Sequence, residues 1–158
     1  MAADLTLSPT TTIAGQSVEQ IAAEVERLST IGINTINARD WNYSSTEAQD
    51  FVSHINPNQW QSKFDNEPGL LSWHEQNLVW RKLVEETYTD CHFDIVEISS
   101  SVLEQGTVAI VWIQTRITGI ENVNMQGLSE LRWRWHDGKW WFFHHVGIRG
   151  HLGQSGFV

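Results

Sequence analysis

The stretch Met125 to Arg149, MQGLSELRWRWHDGKWWFFHHVGIR, decides the fold. It predicts two β-strands joined by a tight turn at His136-Asp137-Gly138, because an Asp-Gly pair supplies the positive φ that a hairpin needs. Before the turn, Ser129, Leu131, Trp133 and Trp135 alternate with Glu130, Arg132, Arg134 and His136, a period of two with one apolar and one charged face. After the turn the alternation vanishes, since Trp140, Trp141, Phe142 and Phe143 are all large and apolar. A strand apolar on both faces has to be covered on both, by helices on one side and by a second sheet or subunit on the other. The hairpin is therefore expected at the centre of the fold.

Working outward, Phe93, Ile95, Val96 and Ile98 predict a strand from His92, Gly106 marks a turn, and Val108 to Ile117 is a long β-branched strand. Ile120 to Asn124 connects it to the hairpin. The first half of the chain reads as helical. Ser17 with Gln20 forms a capping box, and Val18, Ile21, Ala22, Val25 and Leu28 recur at helical spacing opposite Glu19, Glu24, Glu26 and Arg27. The stripe continues through Ile31, Ile33 and Ile36, so this helix is expected to reach about Arg39. Gly32 lies inside it at a cost of about 1 kcal/mol relative to Ala, which marks either close packing or a break. Ser44 with Glu47 offers a second capping box for a short helix through Phe51 and Val52. Asn56-Pro57-Asn58 is a turn, Trp60 to Phe64 a short strand, and Glu67-Pro68-Gly69 another turn. A third box, Ser72 with Glu75, starts a helix carrying Trp73, Val79, Trp80, Leu83 and Val84 and ending near Tyr88 or Thr89. Residues 1–16 read as a loose arm, 17–150 as a single domain and 151–158 as a Gly-rich tail. Helices followed by antiparallel strands make an α+β arrangement, with helices on one face of a curved sheet.

At 158 residues, one domain can bury roughly 70% of its unfolded surface. Nine Trp, each able to bury about 200 Å², imply a heavily filled core or an aromatic-lined cavity. A net charge of -9 argues against nucleic acid as a partner. The basic residues Arg132, Arg134 and Lys139 sit among Glu130 and Asp137, which reads as cross-strand ion pairing on a solvated face. Cys91, the single cysteine, leaves no intramolecular disulfide and reads as a small buried hydrophobe. No basic start with an apolar core and no bilayer-length apolar run is visible, so no membrane association and a reducing, cytoplasmic compartment are expected. The seven His lack a two-His helical spacing beside a carboxylate, and there is no phosphate loop, nucleophile elbow or dinucleotide fingerprint. Neither a metal nor a cofactor is expected.

The order of elements resembles the nuclear-transport-factor-2-like cone fold, in particular its SnoaL-like branch, over about Val18 to Ile148. The residues that carry this are Arg132-Trp133-Arg134-Trp135-His136-Asp137-Gly138-Lys139-Trp140, similar to that family's aromatic-Arg-aromatic-x-Asp-Gly-Lys-apolar hairpin. Ala38-Arg39-Asp40-Trp41 and Trp60-Gln61-Ser62-Lys63-Phe64 are similar to its acidic helix stop and its small strand. The resemblance implies a cone-shaped α+β barrel, with N-terminal helices on the concave face of a curved antiparallel sheet and a conical pocket open at one end. It also implies homodimerisation through the convex face. The superfamily includes polyketide cyclases, ketosteroid isomerases, dehydratases and non-catalytic binding or association modules, so fold leaves function open. Two departures stand out. His144-His145-Val146-Gly147-Ile148 holds no carboxylate where the cyclases have one, and Leu131 occupies the place of the isomerases' buried acid.

His144 and His145 are the leading catalytic candidates. Adjacent strand residues point to opposite faces, so only one can face the pocket. Strict alternation groups Trp140, Phe142, His144 and Val146 on one face and Trp141, Phe143 and His145 on the other, without saying which is inward. A pocket His could take a proton from an enolisable carbon; the plainer alternative is a half-buried His bonded to a neighbour or at a dimer interface. His92 would meet the pocket mouth or simply begin a surface strand, and His54 would approach the cavity from the second helix or be solvated in its loop. Asp40 and Tyr43 lie at the rim or only terminate the first helix. Trp60, Trp112, Trp133 and Trp135 would line the cavity or fill the core. Gln114 and Arg116 share parity with Trp112, so one polar group would reach inside to orient a carbonyl. The expectation is a protein that holds a small apolar, carbonyl-bearing molecule, with cofactor-free isomerisation, cyclisation or dehydration as its chemistry if it is an enzyme. The alternative is a non-catalytic ligand-binding or dimerisation module of the same fold.

Overall fold

Serine caps set where the helices begin. Helix α1 (Val18–Asn37) starts at Ser17, whose side chain accepts from the Gln20 N–H while the Gln20 side chain accepts from the Ser17 N–H. It ends two residues before the expected Arg39, which adopts φ 54°. The Arg39 guanidinium then donates to the carbonyls of Asn37, Thr89 and Cys91 at 3.1, 3.1 and 2.7 Å, tying the helix end to the start of the sheet. Helix α2 (Thr46–Ser53) is capped by Ser45, not by Ser44. Asp40 is the reason: its carboxylate accepts the Ser44 hydroxyl at 2.6 Å and the Ser44 N–H at 2.8 Å. Helix α3 (Trp73–Arg81) carries the complete Ser72–Glu75 capping box and continues as a π-helical segment, Lys82–Thr87, close to its expected end.

The computed structural model describes residues 12, 14–65 and 69–151. Most of the expected arm and tail, and most of the Glu67-Pro68-Gly69 turn, lie outside the described residues. Within the arm, Ala14 packs on the core and the Gln16 side-chain carbonyl accepts from Trp140 Nε1 at 3.2 Å.

Six strands follow the helices or intervene between them: β1 (Gln61–Phe64), β2 (Leu71–Ser72), β3 (His92–Leu103), β4 (Val108–Ile120), β5 (Val123–His136) and β6 (Lys139–His151). Their order is β2-β1-β6-β5-β4-β3, in one curved, unclosed sheet. The β5–β6 hairpin turns through Asp137 (φ 51°) and Gly138 (φ 72°), the two positive-φ central residues of a twist-matched two-residue loop. All neighbours pair antiparallel except β1, which runs parallel to β6. The sheet is therefore mixed rather than antiparallel throughout. Strand β1 arrives from the helical layer instead of from a hairpin, and a crossover of that kind permits the parallel direction.

On β4 the odd residues Ala109, Val111, Ile113, Thr115 and Ile117 are buried. They face α1, whose Ile21, Val25 and Leu28 are fully buried in the same core cluster. Trp133 stacks on Phe142 at 5.2 Å, and its indole N–H donates to the buried Ser29 hydroxyl of α1 at 3.2 Å. That polar link joins the middle of the helix to the sheet inside a largely apolar core, and Asn37 makes two more at the helix end, to the Phe93 carbonyl and N–H at 2.8 and 2.9 Å.

Gly32 marks close packing, not a break: an added Cβ would lie 2.8 Å from the tip of the Phe51 ring. Phe51 is itself held between Trp73 and Phe142. Overpacking of this kind costs about 1–3 kcal/mol and outweighs the ~1 kcal/mol of helix propensity that Ala would add. Gly32→Ala is therefore predicted to lower the urea midpoint. A more stable variant would show that the Phe51 ring gives way freely.

Candidate functional site

A β-bulge decides which histidine faces inward. Arg132 pairs with His144 but Trp133 pairs with Phe142, which leaves Phe143 as the extra residue on β6. Phe142 and His145 consequently share the inner face although they are an odd number of residues apart. His144 points to the convex face opposite Arg132, with its pKa lowered by partial burial and by that guanidinium.

His145 is boxed by aromatic rings, with Phe64, Trp80 and Phe142 at 5.0, 5.8 and 6.0 Å between centroids. Phe64 can stand there only because Gly147 has no side chain; a Cβ at Gly147 would meet its ring at 2.2 Å. The parallel pairing supplies the alignment, setting Ser62 beside His145 and Phe64 beside Gly147. Both ring nitrogens of His145 are buried without a hydrogen-bond partner. Burial, with a smaller contribution from His144, pushes the imidazole down to about 3, so it is neutral at ordinary pH.

Two cavities meet at this ring. One, of about 40 Å³, is walled by Ser29, Gly32 and Thr35 of α1, Trp41 and Tyr43 of the following loop, Phe51, Trp73 and Asn77, and Leu131 and Phe142 of the sheet. The other, of about 70 Å³, is walled by Phe93, Thr115, Ile117, Gly127, Leu128, Ser129, Gly147 and Ile148. Ile33, Ile36, Trp80 and His145 belong to both. Most of the polar walls are already committed. Ser29 accepts from Trp133, Thr35 donates to the Ile31 carbonyl at 2.8 Å, and Asn77 Nδ2 donates to the Trp73 carbonyl at 2.7 Å. Tyr43 (φ 51°) places its hydroxyl 3.5 Å from Asn77 Oδ1, and burial raises its pKa.

Of the residues singled out in the sequence, His145 and Tyr43 line the hollow. Trp60 stands one layer behind, edge-on to Trp73, Trp80 and Phe142, with its buried indole N–H unpartnered. Trp133 is core, and Trp135 packs on Trp140 away from the cavities. Trp112 and Gln114 lie on the convex face, opposite Glu130 and Leu128, because the buried parity of β4 is odd. His54 is a structural clamp: its Nδ1 lies 2.7 Å from the Trp140 carbonyl, and its own carbonyl accepts from the Phe142 N–H. His92 begins β3 in an exposed pair with Asp94 at 3.2 Å. Trp73, Asn77 and Trp80 are the lining residues that sequence reasoning missed as a set. Their spacing of four and three on one helix was the signal. Among the described residues, no three His, Cys, Asp or Glu side chains converge on a metal position, and no helix is long and apolar enough to cross a membrane.

Because folded His145 stays neutral while the unfolded chain takes up that proton near pH 6.5, stability must fall as pH drops from about 6.5 toward 3. Each pH unit across that window is worth up to about 1.4 kcal/mol. His145→Leu is predicted to flatten the pH dependence of the urea midpoint there. An unchanged slope would place the acid sensitivity elsewhere.

No protein-family model matches the chain, and no curated protein matches its sequence. Solved structures do match it. An NTF2-like protein from Pseudomonas putida KT2440 is similar at a TM-score of 0.64 and 10% identity, over 87% of this chain and 92% of that one. The hexachlorocyclohexane dehydrochlorinase LinA-type3 from Novosphingobium barchaimii LL02 is similar at 0.63 and 12% identity, over 86% and 92%. The CaMKII hub of S. rosetta is similar at 0.59 and 13% identity, over 82% and 96%. The curved sheet, the helix in its concavity and these likenesses together give the chain the NTF2-like, cystatin-like cone fold.

Proposed function

We propose that the protein binds one small, largely apolar molecule in the hollow around His145, which anchors a carbonyl or hydroxyl of that molecule by a hydrogen bond. The observation that carries this reading is the imidazole itself, buried between two cavities with neither ring nitrogen partnered. A buried polar group left unpaired costs about 1–3 kcal/mol, and a ligand that completes the bond recovers it. The neutral ring can donate from one nitrogen and accept at the other, so either oxygen type suits it.

A second reading makes the site a cofactor-free isomerase, cyclase or dehydratase in which His145 takes a proton from carbon beside a carbonyl. The likeness to a dehydrochlorinase and the aromatic wall that excludes water favour it. Against it stands the weak basicity of a ring whose pKa is about 3 and whose nitrogens meet no orienting carboxylate. Binding is therefore the first reading. The two separate in heavy water with a panel of small cyclic ketones. Binding without catalysed exchange of the α-protons is the expected result. Exchange that falls about 100-fold or more in His145→Ala would establish the second reading instead. No binding by any member would remove both.

We also propose a homodimer through the convex face of the sheet. Trp112, Trp141 and Phe143 lie half-buried there, with Val96 54% and Leu103 44% exposed on β3. The Arg134 guanidinium and the Lys139 ammonium cover Phe143 and Trp141 at 5.0 and 5.1 Å, so these two rings are shielded rather than bare. Light scattering at micromolar concentration is expected to give twice the chain mass, and Trp112→Glu to halve it. A monomer at the outset would end the proposal.

A further inference from the structure

The walls of the hollow carry a restriction of their own. Neither cavity is lined by an Asp, Glu, Lys or Arg. The chain carries 29 such residues, yet the whole lining of both cavities is aliphatic, aromatic, glycine, hydroxyl, amide or imidazole. The hydroxyls of Ser29 and Thr35 and the amide of Asn77 are engaged with partners inside the fold. Tyr43 at the first cavity and Thr115 and Ser129 at the second also carry hydroxyls, with Tyr43 3.5 Å from Asn77 Oδ1 and Thr115 3.4 Å from the Gly127 carbonyl. Among the described lining residues, His145 is the one whose fully buried side-chain polar atoms have no partner. The two small cavities share Ile33, Ile36, Trp80 and His145, so those side chains form the partition between them.

Resting on the binding reading above, we propose that the site selects uncharged ligands: a compact apolar body of about six to eight non-hydrogen atoms bearing one neutral alcohol, ketone or amide group, seated on His145. Carboxylates, phosphates and amines are excluded. The upper size limit follows from volume: an apolar cavity of about 150 Å³ accepts benzene, and the cavities here, about 70 and 40 Å³, take a body of that size only when the Trp80 or isoleucine partition between them yields. Charge exclusion follows from desolvation. An ion brought into this wall would lose its water and find no opposite charge, a penalty of several kcal/mol that a lone neutral imidazole cannot offset. Protonating His145 to meet an anion would itself have to overcome the same burial.

The test compares pairs of equal shape and different charge at pH 7. Cyclopentanol is set against cyclopentylamine, and cyclopentanecarboxamide against cyclopentanecarboxylate, titrated into the full chain by tryptophan fluorescence and ligand-detected NMR. The neutral member of each pair is expected to bind at least about 100-fold more tightly. His145→Phe is expected to weaken cyclopentanol about tenfold while leaving methylcyclopentane unchanged, which separates the loss of a hydrogen bond from a damaged cavity. Equal or tighter binding of a charged member would overturn the proposal and leave the binding reading intact. Equal losses for cyclopentanol and methylcyclopentane would overturn the role of His145. Failure of every probe, methylcyclopentane included, would overturn the binding reading and this inference with it.

Discussion

Strand β6 is hydrogen-bonded along both edges and apolar on both faces, and most of the molecule arranges itself to satisfy that one strand. Its inner edge pairs with β5 along nearly its whole length, while on its outer edge β1 covers His144 to Gly147 and the His54 carbonyl accepts the Phe142 N–H. Its concave face supplies Trp140, Phe142 and His145 to the region under α1, while its convex face carries Trp141 and Phe143 beneath two cations. A regular strand could not do both with this sequence. The bulge at Phe143 resets the alternation midway, so the aromatic half and the histidine half of β6 each present the right side chain inward.

Much of this is legible in the sequence. The Asp137-Gly138 turn, the capping serines at 17 and 72, and the helix-then-strand order all rest on local backbone chemistry that a sequence displays directly. What stayed hidden was non-local. An unbroken period of two could not show that Phe143 is an inserted residue, and therefore could not choose between His144 and His145. The odd parity of β4 depends on which face meets α1, so Trp112 and Gln114 could not be sent outward from sequence alone. The competition between Ser44 and Ser45 for a cap was decided by the Asp40 carboxylate, whose reach depends on the loop's shape. The direction of β1 was likewise a matter of topology.

The polar groups under the sheet are arranged economically. Trp133 and Ser29 satisfy each other, Ser62 and Gln76 do the same at 2.6 Å, and Asn77 returns its amide to its own helix. Against that background the two unpartnered nitrogens of His145 and the indole N–H of Trp60 are exceptions. In a low-dielectric interior such exceptions are expensive, and they concentrate where a fold keeps capacity for something else. A cone fold by itself leaves function open, so the functional reading of this chain rests on the chemistry of the wall around His145.

The four residues of β1 hold one flank of that hollow from a position remote in sequence from β6, and they do so with a short ladder and a single ring in a glycine notch. Contacts of that kind form after the local hairpins and are among the first to be released in partial opening. Fraying of this border would bare Phe64 and the imidazole together while the β3–β6 meander stayed zipped. On the binding reading, a guest then enters sideways, past a loosened hem, with no need for the long helix to lift.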